Sequence, residues 1–409
     1  MILWNYVQWQ LPGGMAAVNA LGVLRIATFI VGVSYVTALA LPRRRMSPLI
    51  HAALVTAPAL LVIGVPSFAI DLARFGPQEP LAIGGMALGG GLLGSSVRRT
   101  TRGAGLASVV PLAALGYLFW LVGVYQKETS VCALAAVPFL APMALSKWRA
   151  CAASPRRQIV AGIVIAAVLP VLHVLYHVVR IVESDQPKYG TQTTGGSGTG
   201  VAIVDTLANL TNSLGSRIGL IVGVAALATV IASLARRRTD MVAIALVAVA
   251  AANLEMGAET GVFQSRYYLA TFVLLAIVCV RGIASRSPRT IKQIGVLFAL
   301  LVLLSLGPAR TYVQQWATAD QQGVELANAV KALRHQGCDV DVSRLDIERS
   351  DAIDALAKTE IGSCGRRRYV VAQIGHGPAG CGAVVDVWRV ASYPEPVALL
   401  RCRKDHEMP

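Results

Sequence analysis

Acidic residues are scarce in this chain. Asp and Glu number 22 against 37 Lys and Arg in 409 residues, charged residues of either sign make up 14%, and no acid precedes Asp71. With 55% of residues hydrophobic, so little polar surface excludes a water-soluble globule of this length. Other absences narrow the class further. Between Met1 and Gly14 no basic segment leads into an apolar core, so residues 1–19, with Trp4, Tyr6 and Trp9, read as an amphipathic outer interfacial segment and not as a secretory leader. There is no CxxC pair and no HExxH pattern. The glycine-rich stretch Tyr189 to Gly200 fits no phosphate-binding fingerprint and follows no strand, so it reads as a linker or lid.

What is present is a succession of long apolar runs. A span needs about 20 mainly apolar residues, and about ten such runs occur, near 20–41, 49–68, 79–96, 104–124, 131–146, 159–182, 217–235, 240–257, 266–284 and 293–309. The third carries glycines from Gly84 to Gly91, which suits close helix packing. The net charge of +15 is gathered into five short connections: Arg43 to Arg45, Arg98-Arg99 with Arg102, Lys147 to Arg157, Arg236 to Arg238, and Arg281 to Lys292. That is a topology signal and not a nucleic-acid patch. Placing all five in the cytoplasm lets the spans alternate without exception, and between the spans about seventeen Lys and Arg then lie inside and about six outside. The N-terminus, the outer loop 183–216 and the tail then lie outside the plasma membrane.

From about residue 310 the composition becomes that of an ordinary soluble domain. A helical pattern runs from Tyr312 to His335, with a further helix expected near Asp351 to Lys358. Short apolar runs occur at Val340 to Val342, Arg368 to Ile374, Val384 to Val390 and Pro396 to Cys402. The expected fold is thus a polytopic all-α membrane protein, with its transmembrane domain over 20–309 and a small extracytoplasmic α/β domain over 310–409. Four cysteines fall in the tail: Cys338, Cys364, Cys381 and Cys402. Two disulfides are expected over a zinc site, and four cysteines can pair in three ways. Cys132, Cys151 and Cys279 lie in or beside spans and read as packing residues.

This topology sets a group of ionisable residues at the outer ends of spans: Asp71, Arg74 and Glu79; Lys127 and Glu128; His173, His177, Arg180 and Glu183; Glu255, Glu259 and Arg266. Charge at membrane depth is costly and persists where it lines a polar cavity, although residues in the headgroup layer would give the same list at no cost. His173, His177 and Arg180 are spaced i, i+4, i+7 and share one helix face, as a stripe facing a cavity would. The histidine spacing could bind a metal, but with no third ligand the expectation is no metal and no divalent cofactor. Instead, the two imidazoles would hydrogen-bond a phosphate or sugar. Lys127 runs against the outer charge bias and calls for an anionic partner, Glu128 or Glu79 in the plainest case. Outer cations near span ends suit a lipid-linked phosphate, whose prenyl tail needs an apolar groove and whose leaving charge needs offsetting. An acid would have to deprotonate the acceptor hydroxyl.

Three segments carry a resemblance. Gly116-Tyr-Leu-Phe-Trp-Leu-Val-Gly-Val-Tyr125-Gln-Lys127-Glu128-Thr129, Ser265-Arg266-Tyr267-Tyr268-Leu269, and Arg74-Phe-Gly-Pro-Gln-Glu79-Pro80 resemble elements of the GT-C glycosyltransferases. These polytopic enzymes use polyprenyl-phosphate sugars and include protein O-mannosyltransferases and lipid A aminoarabinose transferases. The resemblance covers roughly residues 15 to 310. It implies that Lys127 and Arg266 contact the donor phosphate with Tyr267 packed beside it; helical geometry adds Arg180 to that set. His173, His177, Tyr267, Glu128, Arg74 and Glu79 would line the cavity. In the family, a first span leads into an outer loop holding an acidic catalytic residue, and the chain as given has no acid before Asp71. The expectation is that a span and its acidic loop precede Met1; the alternative is a divergent member. The catalytic base is therefore unassigned, with Glu255 and Asp71 as substitutes. The implied activity is transfer of a sugar from an outer-leaflet polyprenyl phosphate to a glycan, lipid or protein acceptor of the envelope. The alternative is a non-enzymatic envelope-assembly protein that keeps the fold and binds a partner. A transporter is disfavoured, since no internal repeat is visible and the polar groups lie at one face.

Overall fold

The structure is a computed structural model. It describes residues 15–42, 46–63, 65, 68, 79–126, 128–149, 154–183, 218–235, 240–259, 265–286, scattered positions from 291 to 336, and, in the tail, 338–342, 368–375, 377–378, 381–388 and 396–402. The chain divides into two compact units, 1–310 and 311–409.

The first unit is helical. Its described helices are α1 (Met15–Ala40), α2 (Pro48–Ile63), α3 (Glu79–Thr101), α4 (Leu106–Gln126), α5 (Val137–Arg149), α6 (Ser154–Glu183), α7 (Ile218–Ala235), α8 (Met241–Glu259) and α9 (Ser265–Ala284). Among the described residues four helices are long and apolar enough to cross a membrane: Gly22–Ala40 within α1, α3, α4, and Arg156–Arg180 within α6. The chain is a membrane protein on that ground. Pro48–Ile63, Met241–Glu255 and Tyr268–Ala284 are shorter apolar helices. Between residues 291 and 311 only individual helical positions are described. Prolines sit inside α2, α4, α5 and α6, at Pro58, Pro111, Pro142 and Pro170. Helices in lipid tolerate this because neighbouring groups re-satisfy the freed carbonyls.

The fifth expected span, 131–146, is not one helix. A 3₁₀ segment runs over Glu128–Ala136 and gives way to α5. Pro138 explains the change: it lacks the N–H that would continue an α-helix through it, yet it is tolerated in the first turn of α5, where that N–H has no intrahelical partner. Nine residues is long for a 3₁₀ run, and non-α backbone at membrane depth belongs where protein or a cavity surrounds it.

Glycines hold α3 at the centre of its neighbours. A Cβ on Gly84 would lie 2.6 Å from Phe29 Cα of α1, and one on Gly85 would lie 2.9 Å from Gly123 N of α4. Cβ atoms on Gly89 and Gly123 would strike the backbones of Trp120 and Met86. The helices approach that closely because these positions carry no side chain. Polar bonds fix the approach: Tyr35 and Ser95 share a 2.7 Å hydrogen bond, and Trp120 Nε1 donates to Ala167 O at 2.8 Å. At another corner Asp240 accepts from Ala243 N, capping α8, and pairs with Arg281 Nε at 2.5 Å, while Arg281 also donates to Ala40 O at the end of α1. The main apolar core joins α1, α2 and α9 through Phe29, Val33, Val62, Leu269 and Phe272.

The second unit contains a four-stranded sheet in the order β1-β2-β4-β3, built from β1 (Asp339–Asp341), β2 (Arg368–Gln373), β3 (Cys381–Trp388) and β4 (Val397–Cys402). β1 runs parallel to β2; β4 is antiparallel to both β2 and β3. Positions 328–335 are helical, and Leu326 and Val330 bury against Tyr369, Val371, Trp388 and Leu399. Cys381 and Cys402 face one another in register and form a disulfide. Cys338 is also disulfide-bonded. Cys364 and the helix expected at Asp351 to Lys358 lie outside the described residues.

Candidate functional site

A cavity of about 240 Å³ lies in the first unit between α1, α3, α4, the 3₁₀ segment, α8 and α9. Its walls are mainly apolar, including Val33, Val36, Ile83, Met86, Val273 and Leu274. Among the described residues, Glu79, Ser130 and Asn253 bring polar side chains to its lining.

Each is held by local sequence. Glu79 is the first residue of α3, followed by Pro80 in the position helices prefer for proline, and its carboxylate benefits from the positive end of the helix dipole. It is 6% exposed. Asn253 falls within the apolar run of α8; its Nδ2 donates to Thr271 Oγ1 of α9 at 3.0 Å, and that hydroxyl donates back to Ala250 O at 3.3 Å. This pins α8 to α9 beside the cavity. Ser130 is fully buried and donates to Val124 O at 3.1 Å, satisfying a carbonyl that the end of α4 leaves open. The 3₁₀ segment is thereby tied to α4 across the single residue Lys127.

Of the residues singled out in the sequence, Glu79 lines the cavity. Glu255 sits on α8 two residues beyond Asn253, is exposed, and does not line it. His173 and His177 were expected to face a cavity; both are exposed on α6, outside this one. They are joined instead to α4 and to each other: Tyr125 OH and His173 Nδ1 lie 2.9 Å apart, as do the Nε2 atoms of His173 and His177. Arg180 is exposed one turn further along α6. Asp71, Arg74 and Lys127 lie outside the described residues, as do the side chains of Glu128, Arg266 and Tyr267. In the sequence Lys127 stands between α4 and the 3₁₀ segment, Arg266 falls in the first turn of α9, and all three of those elements contribute to the cavity wall.

Asn253, Ser130 and Trp120 were not picked out beforehand. A lone Asn inside an apolar run was the readable signal for the first; Trp120 stood within the segment Gly116 to Thr129 without being given a role, and nothing marked Ser130. No family model matches the chain, and neither the curated proteins nor the solved structures compared with it match. Chemically, a buried carboxylate and a carboxamide in an apolar pocket can orient hydroxyl groups and accept a proton. A cavity below the roughly 300–1,000 Å³ of sites for drug-sized ligands has room for one sugar-sized group and not for a long lipid chain.

Proposed function

We propose that this chain is a membrane glycosyltransferase of GT-C type, moving one sugar from an outer-leaflet polyprenyl phosphate to a cell-envelope acceptor. The observation that carries the reading is the Glu79 carboxylate, buried in an apolar cavity whose walls include α9, the helix in which Arg266 falls, and the two elements that flank Lys127 in the sequence. In this scheme the sugar occupies the cavity and the prenyl chain runs outward between helices. Glu79 takes the proton of the acceptor hydroxyl. The acceptor oxygen bonds to the anomeric carbon as the bond from that carbon to the phosphate oxygen breaks. The polyprenyl phosphate leaves with the electron pair, its charge offset by Lys127, Arg266 and Arg180. The fuller architecture, with about ten spans and the N-terminus and tail on the outer side, belongs to the same proposal.

The test is donor binding and turnover by the purified chain in lipid nanodiscs, offered a panel of polyprenyl-phosphate sugars. Release of polyprenyl phosphate is expected. Glu79→Gln should lower kcat by about 10²-fold or more with donor binding retained, the range seen when a general base is removed. Arg266→Ala should abolish donor binding without preventing membrane insertion. If the wild-type chain binds no polyprenyl phosphate, the enzyme reading falls and a partner-binding envelope protein takes its place.

A further inference from the structure

A hydrogen-bonded file of side chains crosses from α4 to α6 at a place separate from the cavity: Tyr125 OH, His173 and His177. Both histidines are exposed, one turn apart on one face, with their rings 4.5 Å apart and inclined at 70°. A neutral imidazole has one N–H and one lone pair. When His173 carries its proton on Nδ1 and donates it to the Tyr125 oxygen, its Nε2 presents a lone pair toward Nε2 of His177. This is the arrangement of a metal-ligating histidine, whose second ring nitrogen usually donates to an oxygen that fixes the tautomer and ring plane.

The spacing carries the argument further. Two nitrogens bound at right angles, each about 2.05 Å from one metal, lie about 2.9 Å apart; at a tetrahedral angle they lie about 3.3 Å apart. The observed separation of the two Nε2 atoms is 2.9 Å. The geometry points to a bidentate site for a divalent transition-metal ion at His173 and His177, with Tyr125 as its orienting partner. It matches the right-angled coordination of Cu²⁺ or Ni²⁺ directly, and Zn²⁺ after a few tenths of an ångström of ring movement. Among the described residues no group of three or more His, Cys, Asp and Glu could hold a metal ion. The remaining positions of the ion can take water or an oxygen of an incoming ligand. From the sequence, the lack of a third ligand counted against a metal. The structure adds a converging pair of ring nitrogens and a hydroxyl placed behind one of them.

The rival reading is a pair of imidazoles that merely share a proton. Copper titration of the full-length chain, purified in detergent through a tag free of histidine and read by electron paramagnetic resonance, separates the two. Expected is one tightest-bound Cu²⁺ per chain with coupling to two imidazole nitrogens. His173→Gln/His177→Gln should lose that signal, and His177→Gln should leave a one-nitrogen spectrum with affinity lowered about tenfold or more. Tyr125→Phe should weaken binding about tenfold, as loss of an orienting partner does, without shifting the melting temperature by more than a few degrees. The same spectrum and affinity in the double variant would show that His51, His335, His376 or His406 holds the metal and would overturn the site. Copper without nitrogen coupling in the wild-type chain would do so too. Unchanged affinity in Tyr125→Phe would overturn the role given to Tyr125.

Discussion

Tyr268 buries its hydroxyl with no hydrogen-bond partner among the described residues, whereas Asp240 spends both of its oxygens. An unsatisfied buried hydroxyl costs about 1–3 kcal/mol that the same ring without it would not. Tyr268→Phe is therefore expected to keep the fold and raise stability by about 1 kcal/mol, read as the melting temperature in detergent; a lower melting temperature would mean that the hydroxyl is hydrogen-bonded in the folded chain. Asp240 can be dissected by two substitutions. Asn caps a helix about as well as Asp, so Asp240→Asn isolates the partner charge of Arg281, while Asp240→Ala also removes the cap and should cost about 1 kcal/mol more. Equal losses in the two variants would argue against the cap. At this scale the sequence was informative where a residue type is rare in its surroundings. Glu79 and the histidines stood out because charge and imidazole are unusual in apolar runs, whereas Ser130 did not, because serine is unremarkable in a turn.

At the scale of elements, the glycine run of α3 was legible as a packing surface, but not the identity of its neighbours. Gly84 meets α1 while Gly85 and Gly89 meet α4, an assignment that depends on how three helices cross. Gly94, further along the same helix, has nothing within 4 Å of where its Cβ would stand. The two classes predict opposite signs. Gly89→Ala and Gly123→Ala force helices apart and should cost about 1–3 kcal/mol, the usual penalty of overpacking. Gly94→Ala should raise stability by up to about 1 kcal/mol through helix propensity. Thermal unfolding followed by circular dichroism decides, and a loss at Gly94 equal to that at Gly89 would refute the crossing. The 3₁₀ segment is the element that periodicity misread. An apolar run long enough for a helix hides a change of backbone type, since Pro138 acts through a missing N–H that hydrophobicity does not register.

For the whole molecule, membrane character was readable from composition, and the tail's change of composition coincides with the start of its own compact unit at residue 311. Short apolar runs in the tail correspond to β1, β2, β3 and β4 within a few residues. The pairing of its cysteines was not readable, because three connectivities satisfy the same spacing and only the antiparallel register of β3 with β4 brings Cys381 opposite Cys402. That bridge closes 21 residues, and a loop of this size is worth about 3 kcal/mol to the folded state. In the full-length chain Cys381→Ser should leave the first unit's helices intact and open the tail to protease. A tail as resistant as the wild type would show that the sheet does not depend on the bridge.

Apolar run length was enough, on its own, to mark this chain as a membrane protein. The free energy of placing a helix in lipid accumulates residue by residue along a contiguous stretch and needs no partner from elsewhere in the chain. The tertiary structure alone decided the rest: that Glu79, Ser130 and Asn253 meet at one cavity, and that Tyr125 reaches His173 across 48 residues. Those meetings follow from how closely helices approach, which is governed by missing side chains and a few polar bonds at their crossings, and such contacts between distant residues leave no periodic trace in the sequence.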